Sequence, residues 1–398
     1  MYPNFYFFFK DLFGIEIWGL SVVNMFGFFV AMSFLAALHF MTVELKRKEK
    51  EGLITGKKEI KTFGKLPSIT EYVSNAALAF IFGYKFIFLI TNAQTLSPDI
   101  QSHLFTSEGS MIWGLALAAL SVGLKYLEAQ KIKKQYPQPV QKETIIHPYQ
   151  HMGTLTLLAA AVGLPGAKLF DSMERWSDFI KNPIQDFLNP FSGLTFYGGL
   201  ICGGAAVLWY AHKKGIHWRH MLDVGGPAMM MAYAVGRIGC HMSGDGDWGI
   251  INNRPNPGFL PDWLWAYTYP NNVANTTDPI DKVPYLGDGI PVLEFPVWPT
   301  PIYETIIGLA FFGILWYYRK RIKTPGILFS LYLFLTGFER FWIEKIRTNV
   351  DLDILRMKIT QATLISVALM ISAVGLYFWF SKNKTIKEAE LPIIESES

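Results

Sequence analysis

Long apolar stretches alternate with short polar segments along the whole chain. A helix that crosses a bilayer needs about 20 mostly apolar residues. Nine stretches qualify, at 15–41, 72–94, 109–128, 151–170, 196–212, 220–240, 301–319, 325–345 and 360–381. The pattern predicts an all-α, polytopic bundle of transmembrane helices with about nine spans. The segment before the first stretch lacks a basic region and a small-residue cleavage site, so we expect a retained helix rather than a signal peptide.

Lysine and arginine predict the orientation of these spans, because cytoplasmic loops carry an excess of both residues. The loops after spans one, three, five and seven, together with the tail, hold 22 of them, whereas the alternate side holds nine. We therefore expect the N-terminus and the polar segment 241–300 outside, and the acidic tail 383–398 in the cytoplasm. The remaining cations lie within spans, at Lys85, Lys125, Lys168, Arg237 and Arg340.

The composition narrows the class of protein. Hydrophobic residues make up 51% of the chain and charged residues only 17%, against about 25% charged residues in soluble proteins. This excludes a disordered chain and a coiled coil, and a net charge of +4 does not indicate binding to nucleic acid. Cys202 and Cys240 lie in apolar stretches and predict neither a disulfide framework nor a zinc site. Because Walker, GxSxG and HExxH motifs are lacking, we expect no cofactor and no metal.

A likeness between two parts of the chain predicts an internal repeat. A lysine-bearing span, an outer loop and a second span occur at 72–128 and again at 151–212. Lys85 corresponds to Lys168 with an offset of 83, and Trp113 corresponds to Tyr197 with an offset of 84. We interpret this as a duplicated helical hairpin inside one membrane domain, 1–382. The alternative is a chance likeness between two glycine-rich membrane helices.

Arg237 is the first candidate for chemistry, because an arginine within a span costs about 2.5–3.5 kcal/mol and needs a partner or a polar cavity. Gly236 and Gly239 flank it and leave space beside the guanidinium. The planar guanidinium suits a phosphate or a carboxylate. The structural alternative is an ion pair with an acid such as Asp223, fourteen residues earlier in the sequence.

Arg340 is the second candidate, and Glu344 lies four residues later, one helical turn away on the same face. An intrahelical ion pair explains this spacing, and such a pair also orients an arginine toward a ligand.

Three further groups are weaker candidates. Residues 243–249 form a polar turn that could line a headgroup site or be a surface turn. Its spacing does not match an EF-hand loop. Tyr303 and Glu304 follow two prolines at the start of a span, where an acidic residue also favours helix formation. His241 lies near Arg237 in sequence and is either structural or catalytic.

Taken together, these motifs resemble the prolipoprotein diacylglyceryl transferase family. Residues 192–199 are similar to the SFHGG element of that family, and 223–227 with 236–239 to its DxxxP…GRxGNFxNxE signature. Residues 300–304 resemble its HPxxLYE element, and 340–347 its RFxxExxR element. The aromatic–glycine pair at 17–20 completes the series. Tyr197 stands where the family has histidine. Cys240, His241 and Ser243 replace its Asn, Phe and Asn, and Trp298 replaces the histidine before proline.

The resemblance implies a membrane enzyme of the bacterial cytoplasmic (inner) membrane. It would transfer the diacylglyceryl group of phosphatidylglycerol to the lipobox cysteine in the signal peptide of a preprolipoprotein. Arg237 and Arg340 would hold the phosphate, and either Tyr197 or His241 would be the base. The resemblance also assigns substrate binding to a larger set, namely Trp18, Gly198, Gly199, Asp223, Ser243, Asp245, Tyr303, Glu304 and Glu344. Two other functions remain open, a secondary transporter of a small anion and an inactive transferase-like scaffold.

Overall fold

The computed structural model describes the chain except residues 97–101, 182, 184–194, 288, 349–350, 355–356 and 384–398. All but the first residue of the predicted acidic tail, 383–398, lies outside the described residues. The first three residues of the 192–199 element also lie outside them. The described residues are mostly helical. The longer helices are α1 (Phe5–Phe13), α2 (Met25–Lys50), α3 (Ile69–Phe82), α4 (Met111–Gln135), α5 (Met152–Glu174), α6 (Phe196–Lys213), α7 (Trp218–Ser243), α8 (Thr300–Tyr318), α9 (Ile327–Ile343) and α10 (Gln361–Lys382).

Short elements connect these helices. A π-helical turn (Gly83–Ile87) and a further helical turn (Phe88–Thr91) continue α3. Strands β1 (Lys57–Phe63) and β2 (Val140–Ile146) form one two-stranded sheet, and β3 (Asp351–Ile354) and β4 (Met357–Thr360) form an antiparallel one. The remaining single turns of helix are Trp18–Val22, Ala93–Leu96, Ser102–Phe105, Pro148–His151, Trp176–Phe179, Asp262–Trp265 and Glu344–Ile346.

The chain divides into two compact units. Unit one comprises residues 1–30, 58–144 and 238–302, and unit two comprises 31–57, 145–237 and 303–398. In unit one, α3 packs on α4, and the polar segment has its own small core of Trp248, Tyr269, Leu293 and Val297. In unit two, α5 packs on α6 and α9 packs on α10.

Within the described residues, six helical segments are long and apolar enough to cross a membrane. They are Met25–Lys50, Ile69–Thr91, Met111–Gln135, Pro148–Glu174, Thr300–Tyr318 and Gln361–Lys382. The three other predicted spans are also helical, over Phe196–Lys213, Trp218–Ser243 and Ile327–Ile343. The structure therefore confirms a multi-pass helical membrane protein.

The first predicted span, 15–41, is misplaced along the chain. The amide oxygen of Asn24 accepts a hydrogen bond from the Gly27 N–H at 3.3 Å, and the helix begins at Met25. A side-chain oxygen at this position satisfies one of the free N–H groups at a helix start. The apolar residues before Asn24 belong to the separate 3-10 turn Trp18–Val22, and the helix continues into the charged residues up to Lys50.

The internal repeat is longer than the sequence predicts and begins with a strand. Both ends of β2 lie 83 positions after the corresponding ends of β1, and α5 likewise begins 83 positions after α3. After the outer loop the offset is 85, because Ser110 precedes α4 as Thr195 precedes α6. The second loop is thus two residues longer, and the predicted match of Trp113 with Tyr197 is wrong by one residue.

Glycine contacts support the offset of 85. A Cβ on Gly83 would lie 2.3 Å from the Trp113 carbonyl oxygen, and a Cβ on Gly166 would lie 2.9 Å from the Gly198 carbonyl oxygen. In each copy, therefore, a glycine of the first helix faces the same backbone position of the second helix.

The second hairpin is closely packed, as its small residues predict. A Cβ on Gly199 would lie 3.3 Å from the Gly163 carbonyl oxygen, and one on Gly203 would lie 3.0 Å from the Ala159 carbonyl oxygen. Gly199 and Gly203 are four residues apart, a spacing of small residues that predicts close approach of two helices, and these contacts confirm it.

Candidate active site

Glu304 is the centre of a cluster of charged side chains in unit two. It is the fifth residue of α8 and its side chain is fully buried, with 0% exposure. Arg237 of α7 places its Nε 2.6 Å from Glu304 Oε2, and Arg347 places its Nη1 3.0 Å from Oε1. The Nη1 of Arg340 lies 3.9 Å from the same Oε1. Three guanidinium groups from two parts of the chain, α7 and the end of α9, therefore surround one carboxylate.

The end of α9 explains how two of these arginines reach Glu304. Arg340 lies in the last turn of α9, and its Nη2 is 3.2 Å from Oε2 of Glu344, one helical turn later. The helix then tightens into the 3-10 turn Glu344–Ile346, after which the chain becomes extended at Arg347. The tightening brings Arg347 back toward the same carboxylate as Arg340.

The cations and the anion of this cluster differ in exposure. The side chains of Arg237 and Arg340 keep 16% and 22% of their surface exposed, whereas Glu304 keeps none. A buried carboxylate behind partly exposed guanidinium groups fixes their position and leaves positive charge at the surface of the cluster. Such an arrangement can receive an anion such as a phosphate.

A tyrosine–glutamate pair extends the cluster. The guanidinium carbon of Arg237 lies 5.3 Å from the centroid of the Tyr233 ring, within the range of a cation–π interaction. The Tyr233 hydroxyl donates to Oε1 of Glu339 at 3.1 Å, and Glu339 is buried. Neither Tyr233 nor Glu339 is among the site residues predicted from the sequence. The spacing of Tyr233, four residues before Arg237, and the position of Glu339, next to Arg340, could have indicated them.

Asp223, the acid that the sequence offers as an ion-pair partner of Arg237, instead binds the start of α9. Its two carboxylate oxygens accept hydrogen bonds from the N–H groups of Gly326 and Phe329, at 2.8 and 3.0 Å. Lys48 Nζ lies 3.8 Å away. Asp223 therefore caps the start of α9, and it lies about 21 Å along α7 from Arg237 at 1.5 Å per residue.

The glycine-rich start of α6 lies against α5. Gly198 is buried against Gly166 and Phe170, and Tyr197 beside it is half-buried. On the facing helix, Lys168 and Asp171 are buried, and Asp171 forms an ion pair with Arg175. Lys168, one of the cations that the sequence places within a span, is therefore a buried residue of α5.

His241 lies in unit one, among aromatic side chains of the polar segment. Its Nδ1 is 3.2 Å from the Tyr269 hydroxyl, and its ring is 5.7 Å from that of Tyr267. Tyr269 is buried and has a φ of 43°, in the left-handed region that a bulky residue rarely adopts. The polar segment thus holds His241 through a tyrosine whose own backbone is strained.

The turn after His241 contains two glycines with left-handed backbone angles. The φ angle is 65° at Gly244 and 96° at Gly246. Ser243 is buried, and its hydroxyl donates to the Cys240 carbonyl oxygen at 3.4 Å. The ligand atoms of Cys240, Asp245 and Asp247 lie within 4.8 Å of one another. The turn therefore gathers polar groups, as the sequence predicts for 243–249.

The family model of prolipoprotein diacylglyceryl transferases matches residues 110–379. The chain belongs to this family. The match begins at the N-terminal end of α4 and includes Arg237, Glu304 and Arg340.

Curated proteins named phosphatidylglycerol–prolipoprotein diacylglyceryl transferase are similar to the chain. The protein of Leptospira interrogans serogroup Icterohaemorrhagiae serovar copenhageni is 28% identical over 248 residues, which cover 56% of this chain and 67% of that protein. The protein of Finegoldia magna is 26% identical over 274 residues, covering 69% of this chain and 92% of that protein. The protein of Enterococcus faecalis is 26% identical over 231 residues, covering 56% and 75%.

The family elements that the sequence analysis identified are brought together only in part. Unit two assembles Arg237, Arg340, Glu304 and Glu344 in one cluster. Five other predicted site residues belong to unit two. Tyr303 is half-buried next to Glu304 in α8. Tyr197, Gly198 and Gly199 lie at the start of α6, and Asp223 lies in α7.

The predicted site residues of unit one lie in two different elements. His241, Ser243 and Asp245 belong to the end of α7 and the turn after it. The ring of Trp18 stacks on Tyr6 with centroids 4.4 Å apart, in the 3-10 turn before α2. Trp18 therefore does not open the first spanning helix, contrary to the sequence-based expectation.

Proposed function

We propose that this chain transfers the diacylglyceryl group of phosphatidylglycerol to a prolipoprotein, as the names of its relatives indicate. We further propose that the acceptor is the lipobox cysteine in the signal peptide of the preprolipoprotein. A thioether forms between the cysteine sulfur and the glycerol carbon, and glycerol 1-phosphate leaves. The observation that carries the proposal is the convergence of Arg237 and Arg340 on the buried Glu304.

The reaction needs a stabilised leaving group, and the two arginines are suited to this task. When the carbon–oxygen bond breaks, negative charge builds on the phosphate oxygens. Fixed donors aimed at developing charge are worth about 10²–10³ in rate for each donor removed. Glu304 holds both guanidinium groups in place before the lipid arrives, so little reorganisation is needed when the charge develops.

The nucleophile must also lose its proton. A free cysteine thiol has a pKa of about 8.5, and the thiolate is the attacking form. The sulfur forms a bond to the glycerol carbon as the carbon–oxygen bond to phosphate breaks, and the thiol proton passes to a base. Two residues remain candidates for this base, Tyr197 at the start of α6 and His241 at the end of α7.

The membrane arrangement belongs to the same proposal. We expect nine spans, with the N-terminus outside and the C-terminus in the cytoplasm of a bacterial cell, in its inner membrane. Support comes from the uneven distribution of lysine and arginine and from helices that overlap each of the nine predicted stretches. In this orientation Arg237 lies toward the outer end of α7, where a lipid headgroup and a translocated signal peptide can both reach it.

The test uses the purified full chain in phosphatidylglycerol vesicles with a peptide that contains a lipobox cysteine. Mass spectrometry should detect the peptide with an added diacylglyceryl group, whereas the matched cysteine-to-serine peptide should stay unmodified. Arg237→Ala should abolish transfer while the chain still folds and unfolds in a cooperative thermal transition, at a lower midpoint because the buried Glu304 loses a partner. Arg254→Ala removes an exposed arginine of unit one and serves as the control. Normal transfer by Arg237→Ala would contradict the role of this arginine as the phosphate anchor.

A further inference from the structure

Helix α1 is a short, strongly aromatic helix outside the residues that match the family. Six of its nine residues are aromatic, in the sequence FYFFFKDLF. Its length is about 13 Å at 1.5 Å per residue, far less than the roughly 30 Å hydrocarbon core of a bilayer. Asn4 caps its start and Gly14, with a φ of 66°, ends it. It is therefore a complete helix that cannot span the membrane.

Backbone hydrogen bonds fix α1 at the start of a membrane-spanning helix. The Phe5 N–H donates to the Val23 carbonyl at 3.1 Å, and the Met25 N–H donates to the Pro3 carbonyl at 3.0 Å. The ring of Phe5 also contacts Phe28 edge-on, with centroids 4.9 Å apart. Because Met25 is the first residue of α2, α1 lies at the level where the apolar span begins.

One side of α1 is covered by other residues of the protein, whereas apolar side chains near its end are exposed. Tyr6 is buried under the ring of Trp18. At the end of α1 and in the segment directly after it, four apolar side chains are each about half exposed, and together they are called the apolar edge: Leu12 at 55%, Phe13 at 61%, Ile15 at 46% and Ile17 at 49%.

The polar side chains of this segment are paired with one another. Lys10 Nζ lies 2.9 Å from Oε1 of Glu16, and the Tyr2 hydroxyl donates to Oδ2 of Asp11 at 2.7 Å. The hydrogen bond to Asp11 raises the pKa of Tyr2 to about 12, so its phenol stays a neutral donor. The segment thus has a satisfied polar side and an unsatisfied apolar edge, as in helices that lie in the plane of a membrane interface.

We propose that α1 lies in the membrane–water interface where α2 begins, with its apolar edge in the acyl region of the lipid. In the proposed orientation this is the outer leaflet. The occupant of the edge is lipid because α1 is hydrogen-bonded to the start of α2, a helix that is long and apolar enough to cross the bilayer. The Tyr2 N–H donates to the Met242 carbonyl at 2.9 Å, so α1 also ties the end of α7 to the depth of the interface.

Site-directed spin labelling of the full chain in phosphatidylglycerol nanodiscs tests this placement. Leu12→Cys carries a nitroxide on the apolar edge, and Lys10→Cys carries one on the polar side as the matched control. Both positions are exposed, so the label displaces no packed side chain. The labelled wild type, which contains Cys202 and Cys240, gives the background.

The Leu12 label should collide with oxygen severalfold more often than with a water-soluble nickel chelate, at a depth of about 5–10 Å below the phosphates. The Lys10 label should show the reverse preference. Equal access of the chelate to both labels would place α1 in water and overturn the proposal. A Leu12 label shielded from both reagents would show that protein, either a second copy or a bound peptide, covers the edge, which would also overturn it.

Discussion

Glu304→Gln is the sharpest test of the charged cluster, because it removes a charge and almost no volume. The two oxygens of the carboxylate each contact an arginine, Oε2 with Arg237 at 2.6 Å and Oε1 with Arg347 at 3.0 Å. An amide has only one oxygen, so its NH₂ group must face one of these guanidinium groups. Removing one partner of a buried ion pair costs about 3–5 kcal/mol. We expect the thermal midpoint to fall by roughly 6–20 °C.

Glu304→Gln should lower activity because it changes the position of the arginine side chains. Without Glu304 the guanidinium groups of Arg237 and Arg340 lose their common anchor. A misplacement of about 1 Å at a reacting centre can cost 10²-fold in rate, so we expect a fall of about this size in kcat.

The assay compares transfer to the lipobox peptide, at a temperature where the variant is folded, with a thermal melt in the same detergent. Glu294→Gln makes the same chemical change at an exposed position and is the control. If the two variants melted and reacted alike, Glu304 could not be the anchor of the arginines.

The remaining predictions concern the base and the helix contacts. Tyr197→Phe and His241→Ala should differ in transfer rate, with the loss of about 10²-fold or more in the variant that lacks the base; full rates in both would exclude both residues. Gly166→Ala places a Cβ 2.5 Å from a side-chain carbon of α6 and should lower stability by about 1–3 kcal/mol in a thermal melt, whereas Gly204→Ala meets nothing within 4 Å. Equal melts for these two would contradict the close packing of α5 on α6. Asp223→Asn leaves one side-chain oxygen for the two N–H groups of Gly326 and Phe329 and should lower stability by about 1–3 kcal/mol, without a change in kcat at a temperature where it is folded. A large fall in kcat alone would instead indicate a role in the reaction.

Local patterns in the sequence predict the helices and the pairs that lie within one helix. The four-residue spacing of Arg340 and Glu344 predicts an ion pair, and the structure has one at 3.2 Å. The glycines at 199 and 203 predict close helix packing, which is also found. Both predictions succeed because their cause lies within one or two turns of helix.

Contacts between distant segments could not be predicted in this way. The proline-flanked position of Glu304 at the start of a helix is sufficient to explain an acidic residue there, and nothing local indicates that three arginines meet it. Similarly, the capping of α9 by Asp223 joins residues more than 100 positions apart. Periodicity describes one helix at a time, whereas these contacts depend on how the helices pack.

The start of the first spanning helix shows a different limit. Hydropathy counts the apolar residues on both sides of Asn24 equally, whereas the backbone is interrupted there by a hydrogen-bonding side chain. The aromatic residues before that point form α1 and the turn at Trp18. Hydropathy averaged along the chain therefore detects an apolar stretch here but does not locate the residue at which the helix begins.

The repeated strand–helix–helix unit has a consequence for how such a chain can change in evolution. The first copy contributes two helices long enough to cross the membrane, Ile69–Thr91 and Met111–Gln135. A tandem duplication that adds an even number of crossings returns the polypeptide to the side from which it departed. Every downstream segment then keeps its original compartment. A gene encoding this fold could gain or lose the whole module in one recombination event without inverting the part of the protein that carries Arg237, Glu304 and Arg340.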